Sequence, residues 1–363
     1  MFERRSYNTL QAQTLHYFAR PHESIRRAPM DGPAAWRGSE LRHRSDWVHE
    51  LTAAEVAEMR ATVAAVRAAG IEPRRLRRRD VPLPLLAPRI DEWRRELADG
   101  RGFQLIRGVP VADWSEGEAQ TFFWAFGLHL GIPGTQNPQG DLLGHVTDTR
   151  SAADRESGRY YKTAKNIAYH CDAADAVGLL CLRKARAGGL SRIVSSVTVY
   201  NELLSRRPDL VERLYRPFHL DTHGEGDVPT VPIEPCRYHG GHLRTFYHSD
   251  YFRSAFDYEH VPPMSESERE LLDLYESIAE DPGNRLDMDL APGDIQLVSN
   301  HTVLHARTAY EDHADPAERR HLLRLWLSLP GSRRGGRLSR LSSRFRLLAR
   351  VAPQRLKARL QRA

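Results

Sequence analysis

The chain offers one set of residues whose types and order could assemble a redox metal. His170 and Asp172 flank Cys171, and His305 stands far downstream. On a strand, successive side chains alternate, so His-x-Asp aims both groups to one face. A second histidine completes a two-histidine, one-carboxylate set, which leaves three positions of an octahedral iron open for a bidentate co-substrate and O2. The spacing alone selects nothing: His219/Asp221, His248/Asp250 and His313/Asp315 repeat it.

Context separates the first pair from the rest. Gly188-Gly189-Leu190-Ser191 follows, a tight turn that sets a hydroxyl at the start of a strand 21 residues after His170. Pro292-Gly293-Asp294 then turns into the run Ile295–Val298, and Asn300–His305 comes next. Nineteen residues beyond His305 lies Arg324, within a leucine-rich run from Leu322 to Leu329. Alternation puts Leu323, Leu325, Leu327 and Leu329 on one face, and Leu322, Arg324, Trp326 and Ser328 on the other. A guanidinium between Leu322 and Trp326 on an enclosed face needs an anionic partner. A dicarboxylate would supply one with bidentate geometry; an internal ion pair is the alternative.

These stretches, with Gly102–Pro110 and Arg319–Trp326, resemble the taurine dioxygenase-like (TauD/TfdA) superfamily of Fe(II)/2-oxoglutarate oxygenases, which includes clavaminate synthase-like proteins. They frame about 230 residues in the family's order, as the spacing of the matched runs shows. The resemblance implies a double-stranded β-helix (jelly-roll) core. It assigns Fe(II) to His170, Asp172 and His305, and the distal carboxylate of 2-oxoglutarate to Arg324 with Ser191 assisting. It further implies O2 as oxidant, release of succinate and CO2, and oxidation of an unactivated C–H of a small substrate, amino-acid-like or a natural-product intermediate. Cys171 departs from the usual Thr or Ser, and Leu190 from a common polar residue. Asp172 itself argues for hydroxylation, desaturation or ring chemistry rather than halogenation. In the family this chain resembles, the segment before the first ligand often faces the substrate, which points to Lys162, Thr163 and Asn166 as contacts; His145 is another pocket residue. Lys162 and Lys165 would suit an anionic substrate; a solvated loop is the competing reading. His301 is read either as a group orienting a ligand or as a structural residue, and His248/Asp250 as a reserve metal pair.

The elements that must position these residues form a mainly β domain with flanking helices (α+β). Thr52 and Glu55 make a capping-box pattern that opens a helix running to about Gly70. Further helices are expected over Arg89–Ala98, Thr121–His129, Val199–Ser205 and Ser265–Ala279. Strands are expected at Val177–Leu182, Arg192–Val199, Leu243–Tyr247, Ile295–Val298 and Leu322–Leu329. Residues 1–45 read as a polar N-terminal extension draped on the body, 46–330 as the catalytic domain and 331–363 as a basic tail. The tail carries eleven Arg or Lys and no acid, so with +6 overall the first 330 residues carry a net −5. Three cysteines without CxxC spacing argue against a disulfide framework or zinc-thiolate site and for a cytoplasmic enzyme. No run reaches the roughly 20 apolar residues of a membrane span, and the N-terminus lacks an apolar secretory segment. Leu338, Leu341, Phe345 and Leu348 would give the tail an amphipathic stripe. Tail contact with nucleic acid or membrane is admitted but not favoured, and a homo-oligomer is admitted. Two other readings stay open: a metal enzyme that uses no 2-oxoglutarate, and a catalytically silent barrel acting as an adaptor through its tail.

Overall fold

Leucine- and valine-rich runs pair into two principal sheets in the computed structural model, which describes residues 7–148, 164–224 and 228–330. The larger sheet runs, strand by strand, Val48–Glu50, Phe103–Arg107, Ile295–Ser299, Ala176–Arg183 and His321–Ser328. The last of these pairs along its length with both Leu143–Val146 and Ile132–Gly134. The smaller sheet runs Arg285–Met288, Ser191–Ser195, Val303–Arg307 and Ile167–His170. Every pairing in the two sheets is antiparallel except the parallel pair Val48–Glu50 with Phe103–Arg107.

Strand alternation sorts the side chains into layers. Phe103, Val177, Val298, Leu322 and Trp326 of the larger sheet meet Ile193, Leu286 and Val303 of the smaller in one buried cluster between the sheets. On the outer face of the larger sheet, Leu323, Leu325 and Leu327 pack under the helices Ala53–Ala68, Leu86–Asp99 and Glu116–Leu130. On the outer face of the smaller, Val194, Leu304 and Ala306 pack under Ser196–Arg206 and Glu266–Glu280. Each fully buried large apolar side chain contributes about 1.5–3 kcal/mol. Phe122, Phe123, Trp124 and Phe126, all at most 1% exposed, therefore anchor one helix to the larger sheet.

Capping chemistry fixes three of these helices. Thr52/Glu55, Ser115/Glu118 and Ser265/Glu268 each form the reciprocal capping box. The expected strand at Arg192–Val199 stops at Ser195, whose hydroxyl accepts from Thr198 N–H and starts a helix. The N-terminal segment holds an element that the sequence reading left without one, the helix Leu10–Phe18, with Gln13 and Tyr17 buried. Among the described residues, no helix is long and apolar enough to cross a membrane.

Candidate metal centre

His170 ends its strand and lies directly opposite His305 in the antiparallel register. Their rings are 4.1 Å apart. The chain then leaves the sheet, and Asp172 is held by its backbone N–H donating to Asn300 Oδ1 at 3.0 Å. One ligand atom from each of His170, Asp172 and His305 falls within 4.8 Å of the other two. Cys171, between the ligands, points elsewhere: its Sγ lies 3.7 Å from Val303 O and 3.9 Å from Thr245 O. Burial pushes that thiol up to about 12.

The donor set suits Fe(II). His170 Nδ1 lies 2.9 Å from Ala168 O, which orients its ring and leaves Nε2 to face a ligand. Burial and the neighbouring His170 push His305 down to about 3, so it is a neutral imidazole at physiological pH. Burial opposes ionisation of Asp172, but the neighbouring groups, Arg324 foremost, outweigh it and hold the carboxyl below its ordinary value. Asp172 Oδ2 and His305 Nδ1 are buried with no hydrogen-bond partner among the described residues. Unmet buried polar atoms cost about 1–3 kcal/mol each. For Asp172, a bound cation would remove that cost.

Arg324 reaches this centre from the facing sheet, with Nη1 3.9 Å from Asp172 Oδ1 and the guanidinium 5.3 Å from the Trp326 ring centre. Gln136 fixes its direction. Arg324 Nε donates to Gln136 Oε1 at 2.7 Å, and Gln136 Nε2 donates to Arg324 O at 2.8 Å. Gly144 leaves the space, because a Cβ there would sit 2.6 Å from Gln136 Oε1. Gln136→Leu should take one partner from each of Arg324 Nε, Arg324 O and Leu142 O and lose about 1–3 kcal/mol. Chemical denaturation of the two proteins measures this, and equal midpoints would remove Gln136 from the support of Arg324.

A second buried arginine occupies the same inward face. Arg320 lies against Gly189, whose Cβ, were one present, would be 3.3 Å from Arg320 Nε. Its Nη1 is buried without a hydrogen-bond partner among the described residues. Arg320 and Arg307 both approach the Tyr310 ring, at 5.2 and 4.7 Å. Arg307 is paired with Ser191, and Ser191 Oγ donates to Gln296 Oε1 at 2.8 Å, bridging the two sheets. The turn before Ser191 needs glycine: Gly188 and Gly189 have φ of +75° and +73°, and a Cβ on Gly188 would lie 2.4 Å from Ala309 O.

The remaining expected site residues fall outside this constellation. His145 shares a cavity of about 520 Å³ with Gln136, Gly144 and Arg324. Its Nδ1, however, is 2.8 Å from His321 Nε2, and Arg183 donates to His321 Nδ1 at 3.1 Å. Glu116, His145 and His321 are close enough to hold a cation. The adjoining guanidinium and the relayed hydrogen bonds satisfy those imidazoles without one. Asn166 is exposed just before the His170 strand, and Lys162 and Thr163 lie outside the described residues, as does the tail from residue 331. His248 stacks on Tyr251 with ring centres 3.7 Å apart, and belongs to no three-ligand group among the described residues. His301 binds Asp175 rather than a metal ligand, with Nε2 2.7 Å from Oδ1. Sequence reasoning missed Arg320, Gln136, Asn300 and Asp175. Arg320 alone had a signal, standing four residues before Arg324 on the same face.

A family model for the taurine catabolism dioxygenases, TauD/TfdA, matches residues 66–326. The chain belongs to the TauD/TfdA family. It is a 2-oxoglutarate-dependent non-haem iron dioxygenase whose cofactors are Fe(II), 2-oxoglutarate and O2. The FR-33289 synthase of Streptomyces rubellomurinus is 31% identical over 315 residues, covering 85% of this TauD/TfdA chain and 93% of the relative. A uridine-5'-phosphate dioxygenase of an Amycolatopsis species is 30% identical over 245 residues, covering 61% and 83%. An asparagine oxygenase solved with Fe(II), 3-hydroxyasparagine and succinate superposes with a TM-score of 0.62 at 17% identity, covering 78% of this chain and 93% of the other. The iron oxygenase OrfP, solved with Fe and alpha-ketoglutaric acid, superposes with a TM-score of 0.57 at 19% identity, covering 77% and 94%.

Proposed function

We propose that this TauD/TfdA enzyme oxidises an unactivated C–H bond of a small anionic substrate, amino-acid-like or a natural-product intermediate, at a centre held by His170, Asp172 and His305. The observation that carries the reading is the convergence of three ligand atoms within 4.8 Å on a buried carboxylate oxygen without a hydrogen-bond partner. The facing sheets support a double-stranded β-helix core for residues 46–330. Bound Fe(II) with 2-oxoglutarate and O2 supplies the oxidation, and the co-substrate leaves as succinate and CO2. The chain's own residues orient the reactants and exclude water.

The arrangement supports a division of labour between the two inward arginines that differs from the one the resemblance implied. In 2-oxoglutarate the chelating keto acid and the far carboxylate are separated by two methylenes. Arg324, already against Asp172, is too near the metal end to serve the far carboxylate. Arg320, beside the Gly188–Ser191 turn, would take that role together with Ser191. Arg324, aimed by Gln136, is then available to an anionic group of the primary substrate beside the oxidised carbon. His145 at the cavity and Asn166 before the ligand strand remain proposed substrate contacts. Relatives named for a uridine phosphate and for asparagine act on molecules that carry such anionic groups. The buried thiols and the family fit a cytoplasmic location.

Anaerobic titration should bind one Fe(II) per chain, and exposure to O2 with 2-oxoglutarate should release succinate. Metal binding without 2-oxoglutarate-dependent O2 uptake would favour the reading without that co-substrate.

A further inference from the structure

The N-terminal helix Leu10–Phe18 places two consecutive polar side chains on the turns that carry the metal ligands. His16 Nε2 lies 2.8 Å from Asp175 Oδ2. The same oxygen accepts the Leu329 N–H at 2.9 Å, and Asp175 Oδ1 lies 2.7 Å from His301 Nε2. Burial opposes the charge on Asp175, yet these imidazoles hold its carboxyl well below the ordinary range, so it is an anion. Tyr17 donates its hydroxyl to Asn300 O at 2.7 Å, and its ring stacks on His301 at 5.1 Å and 11°. Asn300 N–H in turn donates to Asp175 O at 3.0 Å. Asn300 is fully buried, and its Oδ1 receives the Asp172 N–H. Two hydrogen bonds through one residue, Asn300, therefore join the helix to the carboxylate ligand.

We propose that His16 and Tyr17 are positioning residues for the metal centre: they hold Asp175 and Asn300, and through Asn300 the backbone of Asp172. The inference rests on the assignment of His170, Asp172 and His305 as iron ligands. On this account the helix is part of the catalytic unit, not an appendage to it. Outer partners of metal ligands typically change metal affinity about 10- to 100-fold when removed. A merely structural helix would change stability and leave affinity alone.

The test uses the full chain. Tyr17→Phe keeps the buried ring and its stack and removes only the hydroxyl. His16→Ala removes the imidazole, and His16→Gln restores an N–H donor at similar reach. Each variant is titrated anaerobically with Fe(II) and with Co(II), and the unfolding temperature of the metal-free protein is recorded alongside. Tyr17→Phe and His16→Ala should raise the metal Kd about tenfold or more, with His16→Gln recovering most of the loss. Unchanged affinity in Tyr17→Phe and His16→Ala, whatever happens to the unfolding temperature, overturns the proposal. So does a His16→Gln protein as weak as His16→Ala. Asp172→Ala serves as the reference. If it binds metal as tightly as the wild type, the ligand assignment fails and the inference falls with it. If it loses the metal while the helix variants keep theirs, only the inference fails.

Discussion

Asp172→Ala, His170→Ala and His305→Ala should each abolish turnover and lose the single iron. On the proposed ligand set each removes one of three protein donors and weakens the hold on the ion against chelators and water. The sharp contrast is with His248→Ala and Asp250→Ala. His248 lies next to His170, with ring centres 5.1 Å apart, and repeats the His-x-Asp spacing, but no third ligand joins that pair among the described residues. Iron content by metal analysis and turnover by succinate release decide between them. Iron lost from the His248 and Asp250 variants but kept in the first three would transfer the site to the reserve pair.

The second large effect separates the two inward arginines. Arg320→Lys should weaken 2-oxoglutarate binding to the metal-loaded enzyme by an order of magnitude or more, because a point charge replaces a planar fork. Losing a charge-assisted hydrogen bond of roughly 1.5–3 kcal/mol corresponds to about 10- to 150-fold. Arg324→Lys should leave that affinity within about threefold, under 1 kcal/mol, and act instead on the primary substrate. Anaerobic calorimetry with 2-oxoglutarate measures both variants without the primary substrate being known. The opposite ranking would return the far carboxylate to Arg324, where the family resemblance had put it.

The alternation of the strand His321–Ser328 was legible in the sequence; the partners of its polar residues were not. Alternation along Leu322–Leu329 correctly separated the leucines under the helices from Leu322 and Trp326 between the sheets, because a period of two needs no tertiary information. The Thr52/Glu55 box and the ordered turns around Ser191 and Ile295 were legible for the same local reason. The partners were not. Gln136 meets Arg324 across 188 residues, and His16 meets Asp175 across 159. A polar residue carries no mark of such a contact in its neighbours. The helix Leu10–Phe18 escaped because its buried positions mix polar and apolar residues: Gln13 is buried beside Tyr17, which joins an apolar cluster and also donates a hydrogen bond. Arg320 and Arg324 share one face, and only the position of Asp172 tells them apart.

The residue between the two first ligands has a bearing on durability. An enzyme that activates O2 exposes its own side chains to oxidants at every misfired turnover, and sulfur is the first element at risk. Oxidation of cysteine proceeds through the thiolate and requires access. Cys171 is 2% exposed, faces away from the ligand set and is kept protonated by its surroundings. The sulfur between His170 and Asp172, the proposed iron ligands, is thereby chemically quiet. Self-inactivation during idle cycles should begin at other side chains, and thiol-directed alkylating reagents should find nothing to modify at this position in the folded enzyme.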